Sequence, residues 1–386
     1  MSLSIVIPCL NEHETIATVV DKAVRGLTAS GLAGEVLVAD NGSSDGSQAL
    51  AAAAGARVVT VQRRGYGNAL QGGVAQAQHD WVVMGDADDS YDFLELPRFC
   101  RVIADDDADL IMGCRLPSGG GRVAPGAMPW SHRWIGNPMF SRMARWMFGY
   151  PGHDVYCGLR AFRKSLINEL DLRSPGMEFA VEMVLKATVF GKRIREVPIT
   201  LHPDGRRTAR PHLRTMRDGW RTLRLFLAFG PKWLFFFPAL LLLFLGGLGY
   251  ALAVPSVNIA GAVFDVHTLL VASLGLMLGL QLLVFAIAAQ IAAGAQGLVP
   301  PGRGPDRWIE HLPLERVLAV AAFAACIGVG GIAWMAWQWA DGGFGRLPYR
   351  ETLKQLIPLV TLVAMSVQVF MGGFFLAAMR NWRDRD

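Results

Sequence analysis

Charged residues are scarce in this chain. Asp, Glu, Lys and Arg make up 18% of its 386 residues while 52% are hydrophobic, and the mean hydropathy is +0.32. That balance excludes a disordered chain, which carries more charge, and an ordinary soluble enzyme, which is less apolar. Cysteine is sparse as well: Cys9, Cys100, Cys114, Cys157 and Cys326 stand far apart with no CxxC or Cys/His spacing, so neither a zinc site nor a disulfide framework is expected. No G-x-x-x-x-G-K-[ST] is present and no G-x-G-x-x-G follows the first apolar run, which removes a P-loop and argues against a dinucleotide fingerprint. The opening "LSIVIP" has no basic n-region, no long h-region and no small-residue cleavage site. A secretory signal is therefore not expected, and the first 230 residues are expected in the cytosol.

What is abundant is apolar length. Four runs, 233–254, 269–293, 317–340 and 356–379, are each long enough at about 1.5 Å per residue to cross a hydrocarbon core of about 30 Å. An integral membrane protein is expected, with an all-α transmembrane domain over 233–386. Arg214, Arg217, Arg221, Arg224 and Lys232 precede the first span, whereas "PSVNIAGAVFDVHT" after it has no Lys or Arg, so the first hairpin runs in, out, in. Arg303, Arg307 and Arg316 in the middle loop and Arg380, Arg383 and Arg385 in the tail fit a cytosolic side. Arg346, Arg350 and Lys354 in the third loop do not, which leaves the orientation of the second hairpin open.

Before the membrane, short β-branched runs alternate with helical stretches. "LSIVIP" and "EVLVAD" flank a helix from about Glu14 to Leu27, "ARVVTVQ" and "HDWVVMGD" continue the rhythm, and "NGSSDGS" and "RRGYGNA" read as turns. This predicts an α/β domain over 1–205 with a mostly parallel sheet, ligands gathering beyond the carboxyl ends of its strands. Three polar clusters stand at such ends: Asn11 with Glu12, Asp40 to Asp45, and the acidic series Asp86, Asp88, Asp89, Asp92 and Glu95. A solvated loop capping the next helix, with Asp89 or Ser90 as N-cap, explains an acidic run in isolation; three clusters on one edge make a site. Asp40 can accept hydrogen bonds from a base or ribose, Gly65 and Gly67 allow backbone to approach a ligand, and Asp86 and Asp88 offer hard oxygens to Mg2+ or Mn2+, which would neutralise a diphosphate.

The ordered set "VIPCLNE", "VADNGSSDGS", "RRGYGNAL" and "GDADD" resembles the family 2 glycosyltransferases, which have a nucleotide-diphospho-sugar transferase (GT-A) fold, over roughly residues 3–200. The resemblance implies that Pro8, Asn11, Glu12, Asp40 and Asp45 surround the nucleotide and that Asp86 and Asp88 form the DxD motif holding the metal on the sugar nucleotide. The Q-x-x-R-W of processive polysaccharide synthases is absent, "RMARW" at 142–146 lacking the Gln. Instead "DVYCGLRAF", 154–162, is similar to the D-x-x-S-G-x-R-x-F stretch of polyprenyl-phosphate (dolichyl-phosphate) sugar synthases, with Cys157 in place of Ser. From that stretch Asp154 and Arg160 are carried over, Arg160 to the acceptor side.

In "SHRWIGNPMFSRMARWMFGY", Arg133, Asn137, Ser141 and Arg145 repeat every four residues, as do Ile135, Met139, Met143 and Met147, among the aromatics Trp134, Phe140, Trp146 and Phe148. A helix with such faces lies on a membrane, core packing being the alternative. The resemblance implies that Arg115 and Arg133, with Asn137 nearby, grip a lipid phosphate, which suits guanidinium geometry. A basic segment over 206–232 contains "HLRTMRDGWRTLRLFLAF", with Leu213, Met216, Trp220, Leu223 and Leu227 on one side and Arg214, Arg217, Arg221 and Arg224 on another. It reads as an in-plane helix on anionic headgroups and not as a nucleic-acid stripe. Arg206, Arg207 and Arg210 stand where related synthases have a basic loop over the donor diphosphate.

The expected function is inverting, metal-dependent transfer of a hexose from a nucleotide-diphosphate sugar, UDP-glucose preferred, to a polyprenyl phosphate at the cytosolic membrane face. Donor, lipid acceptor and membrane are the expected partners, with a homo-oligomer left open. A lipid monophosphate, with a second pKa near about 6, is already largely an anion at neutral pH, so Asp154 positions and need not act as base. Two alternatives stand. Glycosylation of a lipid hydroxyl would need Asp154 or Asp89 as base. A transporter or scaffold with a vestigial nucleotide domain would need a polar path, for which Gln281 and Gln290 are the notable groups deep in a span, and interhelix hydrogen bonding explains them more simply.

Overall fold

The structure is a computed structural model that describes residues 2–105, 107–207, 215–300 and 313–383. Arg210, Leu213 and Arg214 of the basic segment, Arg303 and Arg307 of the middle loop and Arg385 of the tail lie outside the described residues, as do the side chains of Met216 and Arg383. Two compact units divide the chain, Met1–Phe229 and Gly230–Asp386.

In the first unit, strands β1 (Ser2–Cys9), β2 (Ala33–Asp40), β3 (Arg57–Thr60) and β4 (Trp81–Met84) alternate with helices α1 (Ile16–Ala29), α2 (Ser47–Ala53) and α3 (Tyr66–Gln76). There follow α4 (Leu96–Ala104), β5 (Leu110–Cys114), β6 (Arg122–Val123), α5 (Asn137–Phe148), β7 (Arg160–Arg163), α6 (Lys164–Glu169), α7 (Glu178–Val189), β8 (Ile194–Pro198), β9 (Thr200–Leu201) and α8 (Thr215–Phe229). Seven strands form one sheet in the order β3-β2-β1-β4-β7-β5-β8, parallel except for β7, which runs antiparallel to β4 and β5. Leu3, Ile5, Val6 and Ile7 of β1 and Val82, Val83 and Met84 of β4 are wholly buried, the unbroken apolar run of a strand covered on both faces. On α1, Ile16, Val19, Val20, Ala23 and Leu27 form the buried stripe at helical spacing. Strand order reverses between β1 and β4, which opens the crevice where ligands of α/β sheets bind.

Helices α5 and α8 differ in detail from their expected faces. On α5 the buried residues are Phe140, Ser141, Ala144 and Met147, while Trp134, Ile135, Met139 and Trp146 are exposed. A four-residue repeat turns by about 40° per step on a 3.6-residue helix, so Ser141 and Met147 drift off their stripes into the core. On α8, Thr222, Phe226 and Phe229 are buried, Phe226 standing 5.7 Å from the rings of both Phe140 and Phe148. Trp220 is outward.

The second unit contains four helices long and apolar enough to cross a membrane, Lys232–Ala253, Val266–Ala295, Leu314–Asp341 and Tyr349–Arg380. They comprise α9 (Phe237–Ala253, entered through a π-helical turn), α10 (Val266–Ala295), α11 (Leu314–Asp341) and α12 (Tyr349–Arg383). Tyr250 of α9 shares a hydrogen bond with Ser273 of α10 at 2.7 Å and donates to Thr361 of α12 at 3.1 Å, satisfying three polar groups inside an apolar bundle. Asp265, just before α10, pairs with Arg350 and with Lys354 at 3.2 Å from the first turns of α12. The loops 254–265 and 342–348 therefore stand at one end of this unit. The third-loop cations that conflicted with the charge rule are offset there by a carboxylate. With Cys326 replaced, single cysteines at Ile259 and Phe344, both exposed, are expected to react with a membrane-impermeant maleimide from the same side of sealed vesicles; labelling from opposite sides would mean that one helix does not cross.

Candidate active site

The strand ends on either side of the crevice are shaped by their own polar side chains. Pro8 lies in β1 opposite Ala39 of β2, beyond Val6, where pairing with β4 has ended; no ladder donor is lost there. Asn11, in the left-handed region at φ 58°, accepts from Ser44 N–H at 2.9 Å, and its own N–H donates to Ser43 Oγ at 2.9 Å. Asp40 is wholly buried and accepts from Gly42 N–H at 3.1 Å, Ser43 N–H at 3.3 Å and Gln48 Nε2 at 2.6 Å. Asp45 accepts from Ser47 N–H and Oγ–H at 3.0 and 2.5 Å and from His13 N–H at 3.0 Å. Burial alone would raise this carboxyl, but those bonds outweigh it and hold it at about 2. Asp40 and Asp45 were expected to face the nucleotide; in the structure their carboxylates build the 41–47 loop. Gly65, at φ 131°, and Gly67 are glycines because a Cβ would stand 2.2 Å from the carbonyl oxygens of Pro175 and Ser174 respectively. The close approach that these glycines make here is to the 174–175 backbone.

Beyond β4 the acidic residues separate into distinct tasks. Tyr66 donates to Asp86 Oδ1 at 2.8 Å. Burial, then the neighbouring Asp88, raises Asp86 to about 6. Asp88 Oδ1 accepts from Ser90 N–H and Oγ–H at 3.1 and 2.6 Å, which fixes its rotamer. Asp89, at φ 61°, pairs with Lys22 at 2.8 Å. The 202–207 segment runs along this loop, with His202 N–H donating to Ser90 O and Gly205 N–H to Asp88 O at 2.9 and 2.8 Å. Its Arg206, 7% exposed, reaches Glu12 at 3.1 Å, Asp88 at 3.2 Å and Asp204 at 2.7 Å. Even so, burial raises Glu12 to about 7, with Arg206 opposing and Asp88, Asp204 and Asp86 adding to it. Arg207 binds the Glu14 carboxylate through its backbone N–H.

A divalent cation fits this donor set. Asp86 and Asp88 present hard anionic oxygens from opposite ends of a three-residue turn, and Asp86 is raised by burial first and by the charge of Asp88 second. Among the described residues no group of three or more His, Cys, Asp and Glu forms a cage. One or two carboxylates, with the substrate's phosphates and water completing the shell, is how Mg2+ is usually held.

On the acceptor side the structure departs from two expectations, those for Arg115 and Arg160. Arg115 is committed to Asp154: Nε to Oδ2 at 2.7 Å, Nη2 to Oδ1 at 2.9 Å, and its N–H to Oδ2 at 3.0 Å. Both are buried, so the guanidinium fork expected on a lipid phosphate is spent on an internal carboxylate, and Asp154 is equally engaged. Arg160 has no exposed surface and donates to the carbonyls of Cys157 at 2.7 Å, Val155 at 3.2 Å and Ala180; it braces the 154–158 turn and cannot meet an acceptor. Arg133 differs from both. It sits on a π-helical turn, His132–Gly136, with its guanidinium 5.2 Å from the centre of the Trp134 ring and its Nε buried without a hydrogen-bond partner among the described residues. Asn137 follows it, Nδ2 at 3.4 Å from Met128 Sδ.

Comparison with known proteins reads onto this geometry. Residues 4–171 match glycosyl transferase family 2, and residues 287–380 match the glycosyltransferase family 2 C-terminal transmembrane region. The low-salt glycan biosynthesis hexosyltransferase Agl6 of Haloferax volcanii is 33% identical over 98% of this chain and 89% of its own. The chain belongs to the family 2 glycosyltransferases. It is an enzyme of that family and an integral membrane protein, with a GT-A sheet followed by four apolar helices. The dolichyl-phosphate hexose transferase of Haloferax volcanii is 31% identical over 51% of this chain and 81% of its own, and the undecaprenyl-phosphate mannosyltransferase of Micrococcus luteus 31% over 52% and 83%.

Neither Tyr66 nor Lys22 was singled out by the sequence. Tyr66 carried a signal, a tyrosine between two glycines in a quoted turn; Lys22 carried none, since its partner is 67 residues away. Asp154→Asn is expected to destabilise the chain by about 3–5 kcal/mol, because it strands the buried Arg115 charge. The double variant Asp154→Leu with Arg115→Met is expected to recover most of that loss, read as the thermal midpoint of the full chain in detergent. A single variant as stable as wild type would mean that the pair is solvated.

Proposed function

We propose that this glycosyltransferase moves a hexose, with inversion and with Mg2+ or Mn2+, from a nucleotide-diphosphate sugar to a polyprenyl phosphate at the cytosolic face of a membrane, UDP-glucose being the preferred donor. One observation carries the choice of acceptor: both carboxylates considered as general base for a lipid hydroxyl are committed, Asp154 to Arg115 at 2.7 Å and Asp89 to Lys22 at 2.8 Å. An acceptor that arrives as an anion needs neither. The names of the dolichyl-phosphate and undecaprenyl-phosphate relatives support the same reading.

Asp86 and Asp88 would hold the cation, which when bound neutralises charge building on the departing nucleotide diphosphate. Asn11, Glu12 and the loop that Asp40 and Asp45 shape would line the nucleotide. Arg206 can exchange Glu12 and Asp88 for diphosphate oxygens, a bidentate partner of higher charge. Arg133 and Asn137 would meet the lipid phosphate. The exposed Trp130, Trp134, Ile135, Met139 and Trp146 around them suit headgroup depth, where amphipathic rings settle. The basic residues before the first apolar helix and their absence after it support the cytosolic assignment.

A radiolabel assay with polyprenyl phosphate and a panel of UDP- and GDP-sugars tests the whole reading. Asp88→Asn is expected to abolish transfer, since an amide lacks the anionic oxygen a hard cation prefers; wild-type turnover in EDTA would remove the metal. Arg133→Ala should lower kcat/KM for polyprenyl phosphate by about ten- to a hundred-fold through loss of a charge-assisted contact, leaving donor hydrolysis unchanged. Wild-type preference for an uncharged lipid alcohol would overturn the acceptor assignment.

A further inference from the structure

We infer that Tyr66 is a positioning residue for the metal-binding carboxylate Asp86, clamping one oxygen so that the other is presented to the cation. The inference rests on the reading of Asp86 as a metal ligand. Tyr66 Oη donates to Asp86 Oδ1 at 2.8 Å, whereas Oδ2 carries no hydrogen bond among the described residues. The side of Oδ2 is kept clear by Gly158, where a Cβ would stand 2.9 Å from it and 3.0 Å from the Tyr91 ring.

The placement of the phenol is over-determined by the fold. Asn41, buried beyond β2, donates to Val61 O and Arg63 O at 3.0 and 2.8 Å and accepts from Gly65 N–H at 2.6 Å, which holds the turn that precedes Tyr66. On the other side, the N–H groups of Gly67 and Asn68 donate to Pro175 O at 2.9 and 3.3 Å. The two glycines that let this backbone meet the 174–175 turn flank Tyr66, so Gly-Tyr-Gly delivers one hydroxyl to one carboxylate oxygen. A carboxylate with one oxygen fixed has one rotamer to offer, and the orientation of a metal ligand is set in this way by the groups behind it.

The test is Mn2+ binding to the full chain in detergent with UDP present, read by loss of the free Mn2+ electron paramagnetic resonance signal, alongside turnover as a function of Mn2+. Tyr66→Phe is expected to weaken Mn2+ binding by about ten-fold, the size of a lost hydrogen bond to a charged group. Its kcat at saturating Mn2+ should stay within about two-fold of wild type, and it should have no effect in an Asp86→Asn background. If Tyr66→Phe does not fold, Gly158→Ala, which crowds Oδ2 with the phenol intact, is expected to weaken Mn2+ binding likewise. Wild-type Mn2+ affinity in Tyr66→Phe, or in Gly158→Ala where that variant stands in, would overturn the inference while leaving the metal site itself standing. Failure of the wild type to bind Mn2+ would instead overturn the reading on which it rests.

Discussion

Negative charge gathered at the carboxyl end of β4 is the constraint around which the first unit is organised. Asp86, Asp88 and Glu12 meet there with too little water to screen them, and both Asp86 and Glu12 are raised in consequence, by burial first. Arg206 supplies the positive charge that the described structure needs, delivered by the 202–207 segment zipped along the acidic loop. A guanidinium and a divalent cation satisfy the same carboxylates by different means, and only the cation leaves coordination positions for a diphosphate. In the proposed reaction the loop therefore answers to whichever positive charge the site holds.

Around that centre the other charges are internal furniture. Arg115 with Asp154 and Arg160 with three backbone carbonyls are buried sets that fasten the 154–162 turn to β5 and α7. Their value lies in geometry, since a buried pair contributes little net stability yet costs heavily when halved. Cys157 fits that role: its thiol is buried, donates to Leu159 O at 3.8 Å, and lies where a serine stands in the similar motif. Arg133 is the contrasting case, an arginine half-buried beside exposed tryptophans and with no carboxylate partner among the described residues.

The membrane unit shows the same logic with fewer charges. Asp265 receives Arg350 and Lys354, and the Tyr250, Ser273 and Thr361 hydroxyls satisfy one another across three helices. Charge that looks misplaced when loops are counted singly is partly offset when two loops meet.

The sequence by itself determined the α/β alternation, the four apolar spans and the family, because these depend on periodicity, apolar length and short ordered motifs that neighbours in the chain encode. It also told which arginines were available, but not which were spent. Arg115, Arg133 and Arg160 read alike as phosphate ligands; Asp154, 39 residues from Arg115, decided the first, and the carbonyls around α7 decided the last. The antiparallel β7, the drift of Ser141 and Met147 into the core, and the reach of Tyr66 to Asp86 were likewise settled only in three dimensions. Each depends on a partner distant in sequence, and a partner's distance is a property of packing, which composition and spacing along one chain do not contain.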